Sequence, residues 1–174
     1  MNPDDDPSSF NETILPHLDA AYTLARWLTH RPEDAQDVVQ EALVRALKYF
    51  SGYRGGSARA WFLTIVRNTC YSWLQRNRSQ EGFICSIDAV PEPAEEHSNP
   101  EEWTLQSFHR QRIRQAVQEL PQEFREVIVL RELEELDYKE ISAVLGIPIG
   151  TVMSRLARAR TRLQQSLDEL KRPL

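Results

Sequence analysis

The chain has 174 residues, of which 41% are hydrophobic and 27% charged, so it can form one ordinary domain or two small ones and is not wholly disordered. No apolar run approaches the ~20 residues of a membrane span, and the acidic N-terminus lacks the apolar core of a secretory signal, so we expect a cytoplasmic protein. The formal net charge of −5 does not by itself suggest a nucleic-acid binder.

The N-terminal part of the chain is predicted to be helical. A first helix is predicted over about residues 18–28, and a second over 34–49, just after Pro32. A third helix opens after Ser57, which is a good N-cap residue. In the second helix the predicted inward residues are Val38, Val39, Ala42, Leu43, Ala46, Leu47 and Phe50. In the third they are Trp61, Phe62, Ile65, Val66, Cys70, Trp73 and Leu74.

Charge is distributed unevenly, and this pattern predicts a linker. Residues 1–80 hold nine acidic and nine basic side chains, and residues 108–174 hold ten acidic and twelve basic ones. Residues 81–107 hold seven acidic side chains, no Lys or Arg, and three prolines. The sequence therefore predicts two small helical domains, 1–80 and 108–174, joined by an acidic flexible linker over 81–107.

The C-terminal part of the chain is also predicted to be helical. Helices are predicted near 105–119, ending before Pro121, and over about 122–135. The inward residues of the latter are predicted to be Phe124, Val127, Ile128, Leu130 and Leu133. No segment shows the sustained two-residue alternation of a strand, so the predicted fold class is all-α.

Residues 138–163 follow the pattern of a helix-turn-helix. A short helix, 138–145, is followed by Gly146, which suits a left-handed helix stop, and a new helix starts at Thr151. In that second helix Val152, Leu156, Ala159 and Leu163 form the apolar stripe. The other side carries hydroxyl groups and arginines that can bind phosphates or guanine edges.

Two sets of motifs in this chain belong together. The C-terminal set consists of Leu120-Pro121, Leu130-Arg131, Leu145-Gly146, Gly150-Thr151-Val152, Ser154-Arg155 and Arg158-Ala159-Arg160. The N-terminal set consists of the segment Asp34 to Ala42, Tyr53-Arg54-Gly55-Gly56-Ser57, and Ala60-Trp61-Phe62 with Ile65 to Asn68. The C-terminal set resembles region four, and the N-terminal set region two, of bacterial RNA polymerase sigma factors of the extracytoplasmic-function (ECF) group. Domain 1–80 then corresponds to region two, and domain 108–174 to region four.

The resemblance implies a function without catalysis or cofactor, in which the protein binds core RNA polymerase and gives it promoter specificity. The implied partners are the clamp of the largest subunit, the flap of the second-largest subunit, promoter DNA and an anti-sigma factor. Residues expected at the minus-thirty-five element are Thr151, Met153, Ser154, Arg155, Arg158 and Arg162. Residues expected at the minus-ten element are Tyr53, Arg54, Ser57, Arg67, Asn68, Tyr71, Arg76 and Arg78. Residues expected at core polymerase are Asp34, Asp37, Gln40 and Glu41.

Other functions are less well supported by the sequence. The four histidines, with Cys70 and Cys85, form no spaced set of metal ligands, and no arrangement of catalytic residues is evident. A stand-alone helix-turn-helix regulator remains the main alternative, but it needs a ligand pocket or phosphoacceptor in its first half, where none is evident. A pure protein-interaction module would not need the arginines of the second helix.

Overall fold

The computed structural model describes residues 7–78 and 100–169. Within these two ranges the chain forms helices and no β-strand, which confirms the predicted all-α class. The helices are α1 (Pro7–Ile14), α2 (Leu18–Thr29), α3 (Pro32–Tyr49), α4 (Ala58–Arg78), α5 (Pro100–Gln118), α6 (Gln122–Ile128), α7 (Tyr138–Leu145) and α8 (Ile149–Glu169). Short 3-10 turns follow α1 and α3, and a π-helical turn, Val129–Leu133, continues α6.

The start of α5 lies earlier than the sequence predicts. The helix begins at Pro100, whereas the prediction placed its start near residue 105 and assigned 81–107 to the linker. Proline is favoured in the first turn of a helix, which accounts for a start at Pro100. The predicted linker therefore overlaps α5 from residue 100 onward, and residues 81–99 lie outside the described ranges.

Helices α2, α3 and α4 pack against one another and form the core of the N-terminal half. Leu24 and Leu28 of α2, Val38 of α3, and Phe62 and Val66 of α4 are fully buried. Burying a side chain of this size contributes about 1.5–3 kcal/mol to folding. This packing holds the outer faces of α3 and α4 in fixed positions.

Helices α6, α7 and α8 form the second core, and the helix-turn-helix is part of it. Val127 of α6, Ile141 of α7, and Val152 and Leu156 of α8 are fully buried, as predicted. Gly146 ends α7 with a φ of 65°, which confirms the predicted left-handed stop. The sequence reading missed the N-terminal cap of α7, where the Asp137 carboxylate accepts from the backbone N–H of Glu140 at 2.7 Å.

Two residues predicted to point inward are exposed. Leu47 is 57% exposed because it lies at the edge of the apolar stripe of α3. Leu133 is 50% exposed because it ends the π-helical turn, which has more residues per turn than an α-helix and rotates the last side chain out of the stripe. Leu136 is buried beside this turn instead.

The two halves contact each other directly. Helix α2 packs against α6, helix α4 packs against α7, and the buried apolar residues of both halves form one continuous cluster. Polar contacts also cross between the halves, and several of them involve residues that the sequence assigns to DNA binding.

Candidate nucleic-acid and polymerase surfaces

The helix-turn-helix has the geometry that DNA-binding motifs of this class require. The axes of α7 and α8 differ in direction by 99°, and only residues 146–148 separate the two helices. Helix α8 begins at Ile149, two residues before the predicted start, and Pro148 accepts its first backbone hydrogen bonds. Buried Leu156 and Ala159 fix the inner face of α8, so its outer face is presented in one orientation.

The residues predicted at the minus-thirty-five element do not share one environment. Met153 (53% exposed), Ser154 and Arg158 lie on the open side of α8, whereas Thr151 is half-buried at its N-terminus. The exposed Arg162 places its guanidinium over the ring of Phe124, 5.0 Å from the ring centroid.

Arg155 lies close to two carboxylates of α6. Its guanidinium nitrogens are 3.7 Å from Glu123 Oε2 and 3.8 Å from Glu126 Oε1. Its side chain is mostly covered. Among the predicted minus-thirty-five arginines, Arg158 is therefore the one that the described structure leaves most open to a ligand.

The loop predicted to contact the minus-ten element is a tight turn anchored by its tyrosine. The ring of Tyr53 stacks on Phe50 with centroids 5.9 Å apart, and its hydroxyl donates to the Gly56 carbonyl at 2.8 Å. Gly55 and Gly56 both have φ near 90°, which only glycine adopts without strain. Arg54 is exposed and donates to the Ser51 carbonyl.

Ser57 immediately precedes α4 and faces the other half of the molecule. The backbone N–H of Ala60 donates to Ser57 Oγ at 3.2 Å, which confirms the predicted N-cap. The same hydroxyl donates to Glu140 Oε1 at 2.8 Å, and Arg59 contacts both Glu140 and the Glu134 carbonyl. The end of the predicted minus-ten loop is therefore in contact with α7.

The predicted minus-ten residues on α4 divide into two groups. Arg67 and Tyr71 point toward α6 and bind one of its carboxylates, while Asn68 is exposed. Arg76 forms a 3.0 Å ion pair with Glu41 of α3, and the side chain of Arg78 lies outside the described part of the structure.

The predicted polymerase-docking residues lie along α3, and the structure adds two apolar ones. Asp37 and Gln40 are exposed, and Val44 (69% exposed) and Leu47 continue the same helix face at three- and four-residue spacing. We call these four residues the α3 face. The sequence reading missed Val44 and assigned Leu47 inward, although the spacing 37, 40, 44, 47 is itself a signal for one helix face.

The other two predicted docking residues have different surroundings. Glu41 is half-buried and pairs with Arg45 at 2.6 Å as well as with Arg76, and Asp34 is half-buried in the first turn of α3. Glu41 thus helps to join α3 to α4, in addition to any role at the surface.

A histidine lies at the junction of the two halves. His30 ends α2 with a φ of 69°, and its Nε2 atom is 3.1 Å from Arg125 Nη1, a group that can only donate. Its Nδ1 atom is 2.5 Å from the Gln118 side-chain amide nitrogen. Burial, and then the charges of Arg125 and Arg26, lower the pKa of His30 to about 4, so the ring is neutral at pH 7.

Acidification is expected to destabilise this junction. Between pH 6.5 and about pH 4 the unfolded His30 takes up a proton that the folded ring does not, so the free energy of unfolding falls as the pH falls. Replacing His30 with Asn, which tolerates positive φ and does not titrate, should flatten this dependence in urea unfolding experiments. His109→Asn, on the exposed side of α5, is the control, and equal pH dependence in all three proteins would contradict the assignment.

Residues 7–78 and 100–169 contain no group of three or more His, Cys, Asp or Glu side chains placed to hold a metal ion. In the same ranges no single helix is long and apolar enough to cross a membrane. Helices α7 and α8 taken together have sufficient length and apolar composition, but they are bent by 99° relative to each other.

Comparison with known proteins identifies the family. The family model for Sigma-70 region 2 matches residues 13–80, and that for Sigma-70, region 4, matches residues 110–163. The ECF RNA polymerase sigma factor SigE of Mycolicibacterium smegmatis is 35% identical over 168 residues, which are 91% of this chain and 62% of that protein. The ECF RNA polymerase sigma-E factor of Escherichia coli K12 is 36% identical over 144 residues, which are 79% of this chain and 75% of that protein.

Solved structures agree with this assignment. The sigma factor RpoE, in its complex with the anti-sigma factor NepR from Bartonella quintana, superimposes with a TM-score of 0.75 at 30% identity, covering 94% of this chain and 99% of that one. CnrH, in complex with the cytosolic domain of CnrY, shares the fold with a TM-score of 0.67 at 24% identity, covering 94% of this chain and 90% of that one. The chain belongs to the ECF group of the sigma-70 family of RNA polymerase sigma factors.

Proposed function

We propose that this chain binds core RNA polymerase and directs it to promoters, acting in the cytoplasm as a specificity factor without catalytic activity of its own. The observation that carries the proposal is the helix-turn-helix of α7 and α8, whose recognition helix is held by a buried stripe and carries exposed Arg158 and Arg162. The family matches, in the order region 2 then region 4, support the same function.

The two halves would divide the work. Residues 1–80 serve as region two, residues 108–174 as region four, and the segment between them as the tether, with α5 extending region four toward the N-terminus. Region four would read the minus-thirty-five element with Thr151, Met153, Ser154, Arg155, Arg158 and Arg162 of α8. Arginine and hydroxyl groups bind phosphates and guanine, and Met153 suits contact with a thymine methyl group.

Region two would capture the minus-ten element as it melts. Separated bases are held by aromatic and amide side chains next to cations. The residues that provide these groups are Tyr53, Arg54, Ser57, Arg67, Asn68, Tyr71, Arg76 and Arg78. Because Tyr53 stacks on Phe50, its use for base contact requires its ring to leave this stack or to offer its open side.

The α3 face would dock on the polymerase. Acidic Asp37 beside the exposed apolar residues Val44 and Leu47 suits a basic partner helix with an apolar edge. Asp34, Gln40 and Glu41 extend this surface. The clamp of the largest subunit is the proposed partner of region two, and the flap of the second-largest subunit that of region four.

An anti-sigma factor is the proposed regulator. Support comes from the relative RpoE, which is 30% identical over nearly its whole length and was solved with the anti-sigma factor NepR. A protein that binds both halves of this chain would hold the DNA-binding surfaces away from promoters.

Run-off transcription tests the proposed function. Core polymerase is supplied with a library of random promoter sequences, with and without the purified protein. We expect transcripts that appear only with the protein, and the enriched templates should share two elements about 25 base pairs apart, as the element names imply. Duplex binding without any transcripts would contradict the proposal and favour a stand-alone regulator.

A further inference from the structure

An apolar stripe runs along the exposed side of the recognition helix α8. It consists of Ile149 (44% exposed), Met153 and Ala157, which are all exposed and lie four residues apart. Residues at this spacing lie one above another on the same helix face. Single exposed apolar residues are ordinary on a protein surface, whereas three in line indicate a surface that contacts something apolar. We call these three residues the α8 stripe.

The α8 stripe and the exposed arginines of α8 lie on different flanks of its outer side. At 3.6 residues per turn, Arg158 lies about 140° around the helix from Met153, and Arg162 about 180°. The major groove of DNA is wide enough to hold a helix, so the two flanks of such a helix face different base edges and strands. The arginines serve one flank, and the stripe forms the other.

Hydrogen-bonding groups near the stripe are directed elsewhere. The Ser154 hydroxyl donates to the Thr151 carbonyl at 3.1 Å. Arg160, seven residues after Met153 and on the same face, donates to Glu132 Oε1 from Nε at 3.1 Å and from Nη2 at 2.7 Å. Ile and Ala side chains have no hydrogen-bonding group, and a Met sulfur is only a weak acceptor. This flank is therefore built to distinguish bases by apolar contact.

The apolar group that bases present in the major groove is the 5-methyl group of thymine. Four residues of helix rise about 6 Å, so the stripe is about 12 Å long and can extend over three or four base pairs at ~3.4 Å each. Met153 stands at its centre, and an unbranched Met side chain adapts to the shape of its partner.

Charge on α8 favours DNA over a protein as the occupant of this stripe. Residues 149–167 contain four arginines and no acidic residue, so the whole segment suits a polyanion. A stable protein interface uses about 20–30 residues on each side, far more than three in line. The stripe also occupies the first turns of the second helix of the helix-turn-helix, which are the turns that reach base edges in this motif.

We propose that the α8 stripe reads thymine methyl groups in the major groove of the minus-thirty-five element, with Met153 as the main specificity-determining residue. This inference rests on the proposed function, because it takes from it the role of α8 at that element. It adds the class of base that the stripe selects, namely thymine recognised by its methyl group without a hydrogen bond. The element should therefore contain thymines at the positions that face this flank.

The test removes methyl groups from the DNA one at a time. The duplex is one selected in the transcription experiment, and each thymine of its minus-thirty-five element is replaced in turn with deoxyuridine, which lacks only the 5-methyl group. Binding is measured with holoenzyme formed from core polymerase and this chain. We expect affinity to fall about fourfold at one or more positions, as the loss of one buried methyl group predicts.

Protein variants then assign the sensitive position to Met153. Met153→Ala should bind the thymine and deoxyuridine duplexes equally at that position, because the methyl group has lost its partner. Met153→Leu keeps an apolar side chain of similar size and should retain the fourfold difference. Gln164→Ala is the matched control, since Gln164 is exposed on the same face three turns further along and its loss should leave the difference unchanged.

A gain of affinity provides the reciprocal measurement. At the sensitive position, a cytosine–guanine pair is compared with a 5-methylcytosine–guanine pair, which returns the methyl group without the hydrogen-bonding groups of thymine. The parent protein should bind the methylated pair severalfold more tightly than the unmethylated one. Met153→Ala should bind both pairs equally.

The outcomes distinguish this inference from the proposed function. Affinities that are equal for thymine and deoxyuridine at every position, or a difference that persists in Met153→Ala, would overturn the assignment to Met153, whatever the transcription result. Met153→Ala that weakens binding of core polymerase and leaves the methyl effect intact would make the stripe a protein contact. Absence of transcripts would overturn the proposed function, and the methyl test would then use a duplex selected by binding to this chain alone.

Discussion

Replacing Asp37 with Lys together with Leu47 with Ser is expected to lower affinity for core RNA polymerase at least a hundredfold. Both side chains lie on the exposed α3 face, so the change removes one acidic and one apolar contact at the proposed docking surface. Replacing a central interface residue of this kind weakens binding by about 2 kcal/mol or more. A hundredfold loss of affinity corresponds to about 2.8 kcal/mol. Affinity is measured by titrating labelled protein with core polymerase.

The fold should not be affected, because surface substitutions of this kind change stability by only about 0.5 kcal/mol. Thermal unfolding and circular dichroism check this. The matched control is Glu12→Lys with Leu15→Ser, which makes the same two changes on the exposed side of α1 and the turn after it. An equal loss of affinity for core polymerase in both double variants, or no loss in either, would show that the docking surface lies elsewhere.

The structure explains why Asp37 is a better target than Glu41. Glu41 pairs with Arg45 and with Arg76, so charge reversal there would disturb the contact between α3 and α4 as well as the surface. Sequence reasoning placed both residues on one polar helix face and could not separate these roles. Only the position of α4 beside α3 distinguishes them.

Replacing Arg158 with Ala is expected to weaken binding of the minus-thirty-five duplex by polymerase holoenzyme about tenfold and to reduce the salt slope by about one unit. Each lost phosphate contact lowers the slope of log affinity against log salt concentration by about 0.9. Binding is measured over a series of salt concentrations, on a duplex selected in the transcription experiment. Holoenzyme is used because the proposed function assigns promoter binding to the complex of this chain with core polymerase.

Arg160→Ala is the matched control on the same helix. Arg160 binds Glu132 at 2.7 Å and does not belong to the proposed DNA surface. We expect it to change the slope by much less than one unit. A slope that stays unchanged in Arg158→Ala would exclude this residue from the phosphate contacts.

Local features of the fold could be predicted well from the sequence. The all-α class, the N-cap at Ser57, the left-handed stop at Gly146 and the buried stripe of Val152, Leu156 and Ala159 follow from spacing and from intrinsic backbone preferences. These features depend on residues within one or two turns of one another, so the pattern contains the necessary information.

Boundaries and edges of helix faces were less predictable. Leu133 leaves its predicted stripe because a π-helical turn changes the phase of the helix, and hydrophobic spacing assumes a constant phase. Leu47 sits at the edge of its stripe, and whether an edge residue is buried depends on how far the neighbouring helix extends over it. The early start of α5 was not predicted because Pro100 suits a linker as well as the first turn of a helix.

The sequence by itself determined the helices, the helix-turn-helix and the residue types available for DNA and polymerase, because these depend on short-range periodicity and on motif spacing. The tertiary structure alone decided which of those residues already contact a carboxylate of the other half of the molecule. Glu126 and Arg67 are 59 positions apart in the chain, and Ser57 and Glu140 are 83 apart, so no local pattern could pair them. A buried charge needs a partner wherever the packing of the two halves brings one, and here that partner is Arg67, a residue of the other half that is proposed to bind DNA.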